Sequence, residues 1–333
     1  MNGDANTISD AFLPAEKKLQ KESHTVLVTG GAGYLGSRLC ALLLECGYKV
    51  IIYDCFLWGI TPILPFLGHP NLSVIKGDVC DETQMKAVLP LCDTIVHLAA
   101  IVGYPACVKE PELAVEVNEL ATKKIARNLK PWQQLIFAST GSCYGAVKGT
   151  CTEETPLVPL SLYGKTKAES EKCVLGFGGV ALRMATLFGV SFRMRLDLLV
   201  NDLTYQAIEK GELNLYQGWF RRTFLHVKDA ARAFLFAIRN YDSMKGEAFN
   251  VGCNELNLTK REVVQKIQQK IPDFTFTEEQ TDKDQDKRDY EVSYNKLRKL
   301  GFRARESLDS GIEELVQILP LFSEADVRIC KNV

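Results

Sequence analysis

The chain has 333 residues, of which 46% are hydrophobic and 24% charged, with 40 basic side chains against 41 acidic ones. That length suggests two domains with a sizeable core, and the even charge excludes both the basic footprint of a nucleic-acid binder and a disordered polyelectrolyte. No uninterrupted apolar stretch reaches the ~18 to 20 residues of a membrane span, because Arg38, Asp54 and Asp93 interrupt the most hydrophobic regions.

Residues 1–22 mix acidic with basic side chains and lack the apolar core of a signal peptide, so a flexible tail is expected there. From Thr25 the run Thr-Val-Leu-Val-Thr has strand length and is closed at once by glycines. Tyr34 to Gly47 then repeats apolar residues at helical spacing, and Lys49–Asp54 is a second β-branched run. Strand, glycine turn, helix, strand is a βαβ unit, and continuously apolar strands belong to buried parallel sheets. The unit repeats, with strands expected at Ser73–Lys76, Thr94–Ala100, Gln134–Ala138 and Val180–Arg183. Helices are expected near Glu82–Leu89, Pro111–Leu129 and Ser161–Phe177. This alternation predicts an α/β fold, a Rossmann-type doubly wound parallel sheet with a smaller, mixed α/β substrate domain after it.

Beyond Arg183 the pattern weakens to a helix over Leu198–Lys210, a helix over Val227–Arg239 and a strand at Ala248–Val251. Thr259-Lys-Arg-Glu262 and Ser310-Gly-Ile-Glu313 read as capping boxes that open two late helices. The charged run Glu278–Asp289 between them is expected to be an exposed loop. The implied division is residues 23–182 plus 224–252 for the cofactor domain and 183–223 plus 253–333 for the substrate domain.

Eleven cysteines between Cys40 and Cys330 include no Cys-x-x-Cys pair, and His24, His69, His97 and His226 form no His-x-x-x-His. This usage points away from a disulfide framework or a metal site and toward a reducing cytoplasm. Cys143 has no nearby histidine to activate it and reads as a packing residue.

The glycines after the first strand fit Gly-x-x-Gly-x-x-Gly through Gly30, Gly33 and Gly36, or Gly-x-Gly-x-x-Gly starting at Gly31. Either pattern leaves backbone N–H groups and a helix N-terminus facing a pyrophosphate. Asp54 ends the second strand, about 20 residues onward, where a carboxylate accepts from a ribose 2′-OH and repels a 2′-phosphate. That favours NAD over NADP. Asp78 is placed either to meet the adenine edge or as an ordinary turn acid.

Tyr-x-x-x-Lys occurs at Tyr144/Lys148, Tyr163/Lys167 and Tyr241/Lys245. A phenol and an ammonium on one helical face allow the cation to lower the phenol's pKa. Tyr163 alone lies clearly inside a predicted helix. The turn Ser139-Thr-Gly-Ser142 supplies a hydroxyl at a strand's C-terminal end, from Thr140 first and Ser142 second.

These motifs, with Gly77-Asp78, His97-Leu-Ala-Ala100, Asn118, Tyr144-Gly145 and Arg222-Thr-Phe-Leu-His-Val227, resemble the extended short-chain dehydrogenase/reductase superfamily in its nucleotide-sugar epimerase and dehydratase branch. The resemblance runs from about Thr25 to Leu319. It implies a catalytic trio of Thr140, Tyr163 and Lys167. It further implies NAD contacts from Gly30, Gly33, Tyr34, Leu35, Gly36, Asp54, Asp78, Val79, Leu98, Ala99, Ala100 and Asn118, joined by Tyr163 and Lys167. Arg222 resembles the arginine that grips a substrate diphosphate, and Arg288 is a second such candidate. Ser142, Thr186, Arg193, Arg195 and Asn201 are placed to face the substrate.

Relatives that dehydrate sugars carry Asp-Glu directly after the threonine, and those that decarboxylate them keep a Glu; here Gly141-Ser142 follows. Epimerisation of a nucleotide-diphosphate sugar, at C4 first, is therefore the expected activity. A dehydratase or reductase on the same scaffold and a catalytically silent NAD(H)-binding regulator remain the alternatives. The resemblance also implies a homodimer through the helices at Pro111–Leu129 and Ser161–Phe177.

Overall fold

The computed structural model describes residues 24–147, 149–279 and 289–332; the expected N-terminal tail and Arg288 lie outside them. Seven strands form one fully parallel sheet. Their spatial order is Ala248–Val251, Val180–Met184, Gln134–Thr140, Thr94–His97, Thr25–Thr29, Lys49–Asp54 and Leu72–Lys76. The alternation within one strand shows why both faces are covered. Val26 and Val28 join one core with Leu39, Leu43 and Phe234, while Leu27 joins another with Ile95, Phe137 and Val174. Each such fully buried aliphatic side chain contributes about 1.5–3 kcal/mol. The expected doubly wound fold is borne out.

The chain leaves Thr25–Thr29 in one direction across the sheet and returns to Thr94–His97 on its other side. Strand order reverses there, so the carboxyl ends of these two strands open a crevice. Over that crevice lies a three-stranded sheet of Thr186–Phe188, Arg221–His226 and Asn257–Thr259. Helices Leu199–Lys210, Lys260–Lys270 and Leu308–Ile318 pack about it through Phe188, Val200, Phe224, Ile267 and Ile312. Tyr290, Val292, Tyr294, Leu297 and Phe302 come late in the chain yet pack in the core of the large sheet.

Several boundaries differ from expectation for local reasons. The strand predicted over Thr94–Ala100 ends at His97, because the Leu98 and Ala99 N–H groups turn onto the Thr29 hydroxyl at 3.2 and 3.3 Å. The helix from Pro111 contains a π turn, Glu116–Leu120, and ends at Arg127. Thr259 does form its capping box with Glu262. The last predicted box forms three residues earlier, with Ser307 as cap and Ser310 as its partner, which lets Leu308 bury in the first turn. Glu278 and Glu279 end a strand, Thr275–Glu279, that pairs with Glu212–Tyr216; residues 280–288 of the expected loop lie outside the described residues.

Candidate active site

A cavity of about 1250 Å³ fills the crevice between the two sheets, larger than the ~300–1,000 Å³ usual for one small molecule. Its floor is the glycine loop. Gly30 has φ +70° and a Cβ there would stand 2.8 Å from the Ala99 nitrogen, while one on Gly36 would stand 2.1 Å from the Gly30 carbonyl oxygen. Only glycine satisfies both positions, which keeps the Gly30–Gly36 turn tight and its main chain open to the cavity. Gly31 instead lies against Ile52, where a Cβ would meet its side chain at 3.0 Å. Gly33 caps helix Tyr34–Glu45 without a side chain of its own, leaving the helix N-terminus open to an anion.

Asp54 accepts from the Ala32 N–H at 2.9 Å and the Phe56 N–H at 2.8 Å. An ionised carboxylate has about four acceptor positions, so it can still receive ribose hydroxyls. Burial pushes its pKa up, and those two backbone donors pull it back. Asp78 accepts from the Cys80 N–H at 2.9 Å as a turn acid while also lining the cavity beside Val79. The loop cradle is backed by His97. The Thr122 hydroxyl spends its proton on the Asn118 carbonyl at 2.7 Å, so His97 Nε2–H donates to Thr122 and Nδ1 accepts from Thr29. Burial holds the imidazole neutral, its pKa pushed down to about 3.

At two predicted cofactor contacts the side chain is engaged inside the protein. Asn118 is buried off the cavity, its Oδ1 accepting from the Ile101 N–H at 2.8 Å and its Nδ2 donating to the Ile101 carbonyl at 3.0 Å. It therefore fixes the loop after Ala100 and does not line the cavity. Tyr34 lines the cavity, but its phenol turns away to donate to the Gly189 carbonyl at 2.6 Å, tying the two halves together.

At the centre of the cavity wall, Thr140 is the last residue of strand Gln134–Thr140, not one beyond it, and its hydroxyl accepts from the Ser142 N–H at 3.2 Å. Ser161 caps helix Leu162–Gly176 through the Gly164 N–H at 3.1 Å, which places Tyr163 in the first turn and Lys167 one turn onward. Gly164 permits the approach, since a Cβ would come within 2.8 Å of the Ser142 carbonyl oxygen. The Lys167 ammonium lies 3.9 Å from the Phe137 ring centroid. Burial pushes its pKa down to about 7, against the Cys143, Glu171 and Cys107 side chains. Burial pushes Tyr163 up to about 12, with Arg195 and the Thr140 hydrogen bond working the other way. In a low-dielectric wall the neutral form of each group is favoured.

The other motif copies are structural. Tyr144 is buried and donates to Asn250 Oδ1 at 2.6 Å, and Lys148 lies outside the described residues. Tyr241 donates to the Gly178 carbonyl at 2.9 Å. Burial also holds the Cys143 thiol up at about 12.

The far end of the cavity is cationic. Thr186, Arg193, Arg195 and Arg222 line it, as do four residues the sequence did not flag: Trp58, Lys260, Tyr290 and Asn332. Arg193 stacks 4.5 Å over Trp58 and donates to Asn332 Oδ1 at 2.6 Å; burial, with Arg195 nearby, pushes its pKa down to about 10. Arg195 is paired with Asp197 through both carboxylate oxygens, at 3.1 and 2.5 Å. Asn201, expected at the substrate, is wholly buried elsewhere, accepting from the Gly189 N–H and donating to the Arg195 carbonyl. Its role is to shape the loop that carries Arg193 and Arg195. Lys260 follows the Thr259 cap, and its ammonium donates to the Tyr216 carbonyl at 3.3 Å and lies 6.0 Å from the Phe220 ring centroid, which draws it inward.

A phenol and a strand-end hydroxyl lining one cavity with a glycine loop and an open helix N-terminus can couple proton transfer to hydride transfer. That is the chemistry of the extended short-chain dehydrogenase/reductase class. The family model described as the NAD dependent epimerase/dehydratase family matches residues 26–252, and the chain belongs to that family. Its cofactor is NAD. An uncharacterized UDP-glucose epimerase of Bacillus subtilis (strain 168) is 31% identical over 245 residues, 68% of this chain and 76% of that protein. Among solved structures, the UDP-glucuronic acid 4-epimerase of Bacillus cereus, in complex with UDP-glucuronic acid and NAD, superposes with a TM-score of 0.81. It is 26% identical and covers 89% of this chain and 99% of its own. A dTDP-glucose 4,6-dehydratase of Streptomyces venezuelae with NAD bound is 25% identical with a TM-score of 0.78, covering 88% and 96%. The chain is thus an NAD-dependent enzyme of the nucleotide-sugar epimerase and dehydratase type. Among the described residues, no helix is long and apolar enough to cross a membrane.

Proposed function

We propose that this enzyme is a nucleotide-sugar 4-epimerase. The observation that carries the reading is the set of acids in the cavity. Among the described residues, Asp54, Asp78 and Asp197 line it. The first two stand at the cofactor end, and Asp197 is bound to Arg195 through both oxygens. The position after Thr140 is Gly141, where even a Cβ would come 3.2 Å from the Tyr290 hydroxyl. Loss of water or of carbon dioxide needs an additional acid or base at the sugar; epimerisation does not.

NAD, when bound, supplies a reversible two-electron acceptor at its nicotinamide. Within this chain, Tyr163 exchanges a proton with the sugar hydroxyl, Lys167 stabilises the phenolate, and Thr140 bonds the same oxygen. Arg222, with Arg193, holds the diphosphate by charge-assisted hydrogen bonds, so the sugar can present either face while its nucleotide stays anchored. Relatives named as UDP-glucose and UDP-glucuronic acid epimerases support this assignment. The proposed assembly is a homodimer through the helices from Pro111 and from Leu162, where Leu113 and Leu120 stand exposed. The proposed compartment is the cytoplasm, consistent with eleven free thiols.

Incubation with NAD and a panel of UDP-glucose, UDP-glucuronic acid and dTDP-glucose should give a product of unchanged mass with new sugar proton resonances. Loss of water would assign a dehydratase instead, and tight NAD binding without turnover of the panel would favour a silent regulator. Light scattering of the purified chain checks the dimer.

A further inference from the structure

The three reactive side chains come from two separate elements. Thr140 ends a strand, whereas Tyr163 and Lys167 lie on helix Leu162–Gly176. No hydrogen bond of the parallel ladder joins them; the close approach at Gly164 brings the helix in, and side chains fix it to the strand. We propose that Glu171, gripped by Arg183 and by Ser139, is a positioning residue that holds the Thr140 hydroxyl against Tyr163 and Lys167.

Glu171 lies one helical turn beyond Lys167, as Lys167 lies one turn beyond Tyr163, so all three share one helical stripe. Ser139, immediately before Thr140, donates to Glu171 Oε2 at 2.5 Å. Arg183, on the adjacent strand Val180–Met184, grips the same carboxylate with Nε at 3.0 and 3.1 Å and Nη2 at 2.6 Å. Its Nη1 donates to the Tyr144 hydroxyl at 2.9 Å, and Tyr144 follows the turn Gly141–Cys143 that leaves Thr140. The network therefore holds Thr140 from both directions along the chain. Ser139, Glu171, Arg183, Tyr144 and Asn250 are all buried. A buried ion pair is an inefficient source of stability, because desolvation opposes its attraction; a bidentate pair does fix direction and distance.

The test needs no sugar, so it stands apart from the 4-epimerase reading and rests on the enzyme class alone. The titratable and charged groups facing the pair are Cys107, Cys143, Glu171 and His97 around Lys167, and Cys107, Cys143 and Arg195 around Tyr163. The full chain with NAD is labelled with carbon-13 at tyrosine Cζ, and the Tyr163 resonance is assigned by its loss in Tyr163→Phe. Ser139→Ala leaves the Glu171–Arg183 pair in place and so preserves the fold. It should raise the phenol's pKa by about one unit, roughly tenfold less phenolate at a given pH. Ser139→Thr, which keeps the hydroxyl, should titrate like the wild type. With a nucleotide-sugar that is turned over, Ser139→Ala should lower kcat about tenfold with KM unchanged. A Tyr163 titration that does not move in Ser139→Ala, whatever happens to Tm, overturns the proposal, as does a failure of Ser139→Thr to restore it.

Discussion

At the ends of strands Thr25–Thr29 and Lys49–Asp54 the cavity wall is mostly main chain: Gly30, Gly33 and Gly36, the N-terminus of the first helix, and Asp54 held by two backbone donors. At the opposite end it is side chain: Arg193, Arg195, Arg222 and Lys260, carried on loops, a strand and a helix of the smaller sheet region. Backbone surfaces recognise a feature every dinucleotide shares, the pyrophosphate, and vary little in what they accept. Long cationic side chains can be exchanged one at a time, so under the proposed function the choice of substrate falls to the second region. Tyr163, Lys167 and Thr140 stand where the two meet and belong to neither.

The largest effect should come at that junction. Tyr163→Phe removes the proton-transfer group and should lower kcat by roughly 10²–10⁴-fold while NADH fluorescence titrations show unchanged cofactor affinity. Retained turnover would mean that the junction has been placed wrongly. Next, Gly36→Ala puts a methyl 2.1 Å from the Gly30 carbonyl oxygen. Overpacking of this kind costs about 1–3 kcal/mol; borne by a displaced loop, it should weaken NAD binding by about 5–150-fold. The same titration reads it.

Arg222→Ala is the counterpart on the side-chain wall. Loss of a hydrogen bond to a charged group costs about 1.5–3 kcal/mol, so KM for the nucleotide-sugar should rise roughly 10–100-fold with NAD affinity held. A parallel loss of NAD binding would erase the division between the two walls.

The smallest effect concerns how the regions are joined. Glu314, on helix Leu308–Ile318, contacts His226 Nε2 at 3.3 Å and pairs with Lys228, at the start of helix Val227–Arg239. Although burial opposes it, those two partners hold its carboxyl down at about 2. A depressed folded-state pKa gives stability that is present above the unfolded value near 4.5 and is lost as pH falls toward 2. Glu314→Gln should therefore lower Tm at pH 7 and make progressively less difference in acid. An equal loss of Tm at both pH values would mean that its charge is not what joins the regions.

The helix stripe Tyr163, Lys167 was legible because helical period and a capping serine are local facts, and so were Gly30, Gly33, Gly36 and Asp54. Asn118 and Asn201 were read as ligand contacts, yet both spend their amides inside the protein. An asparagine's type shows that it will hydrogen-bond and not to what. Trp58 and Asn332 reach one guanidinium from distant parts of the chain, a meeting that no spacing rule reports.

By itself, the sequence determined the strand–glycine–helix order, the parallel sheet with two buried faces, the glycine loop and the acid that ends the second strand. Each depends on residues within about one βαβ unit of each other, where period and turn chemistry act directly. Tertiary structure alone decided that Lys167 would be buried, that Ser139, Glu171 and Arg183 would close on one another, and that Lys260 would face inward. Those outcomes depend on desolvation and on distances between elements far apart in the chain, which only the completed packing sets.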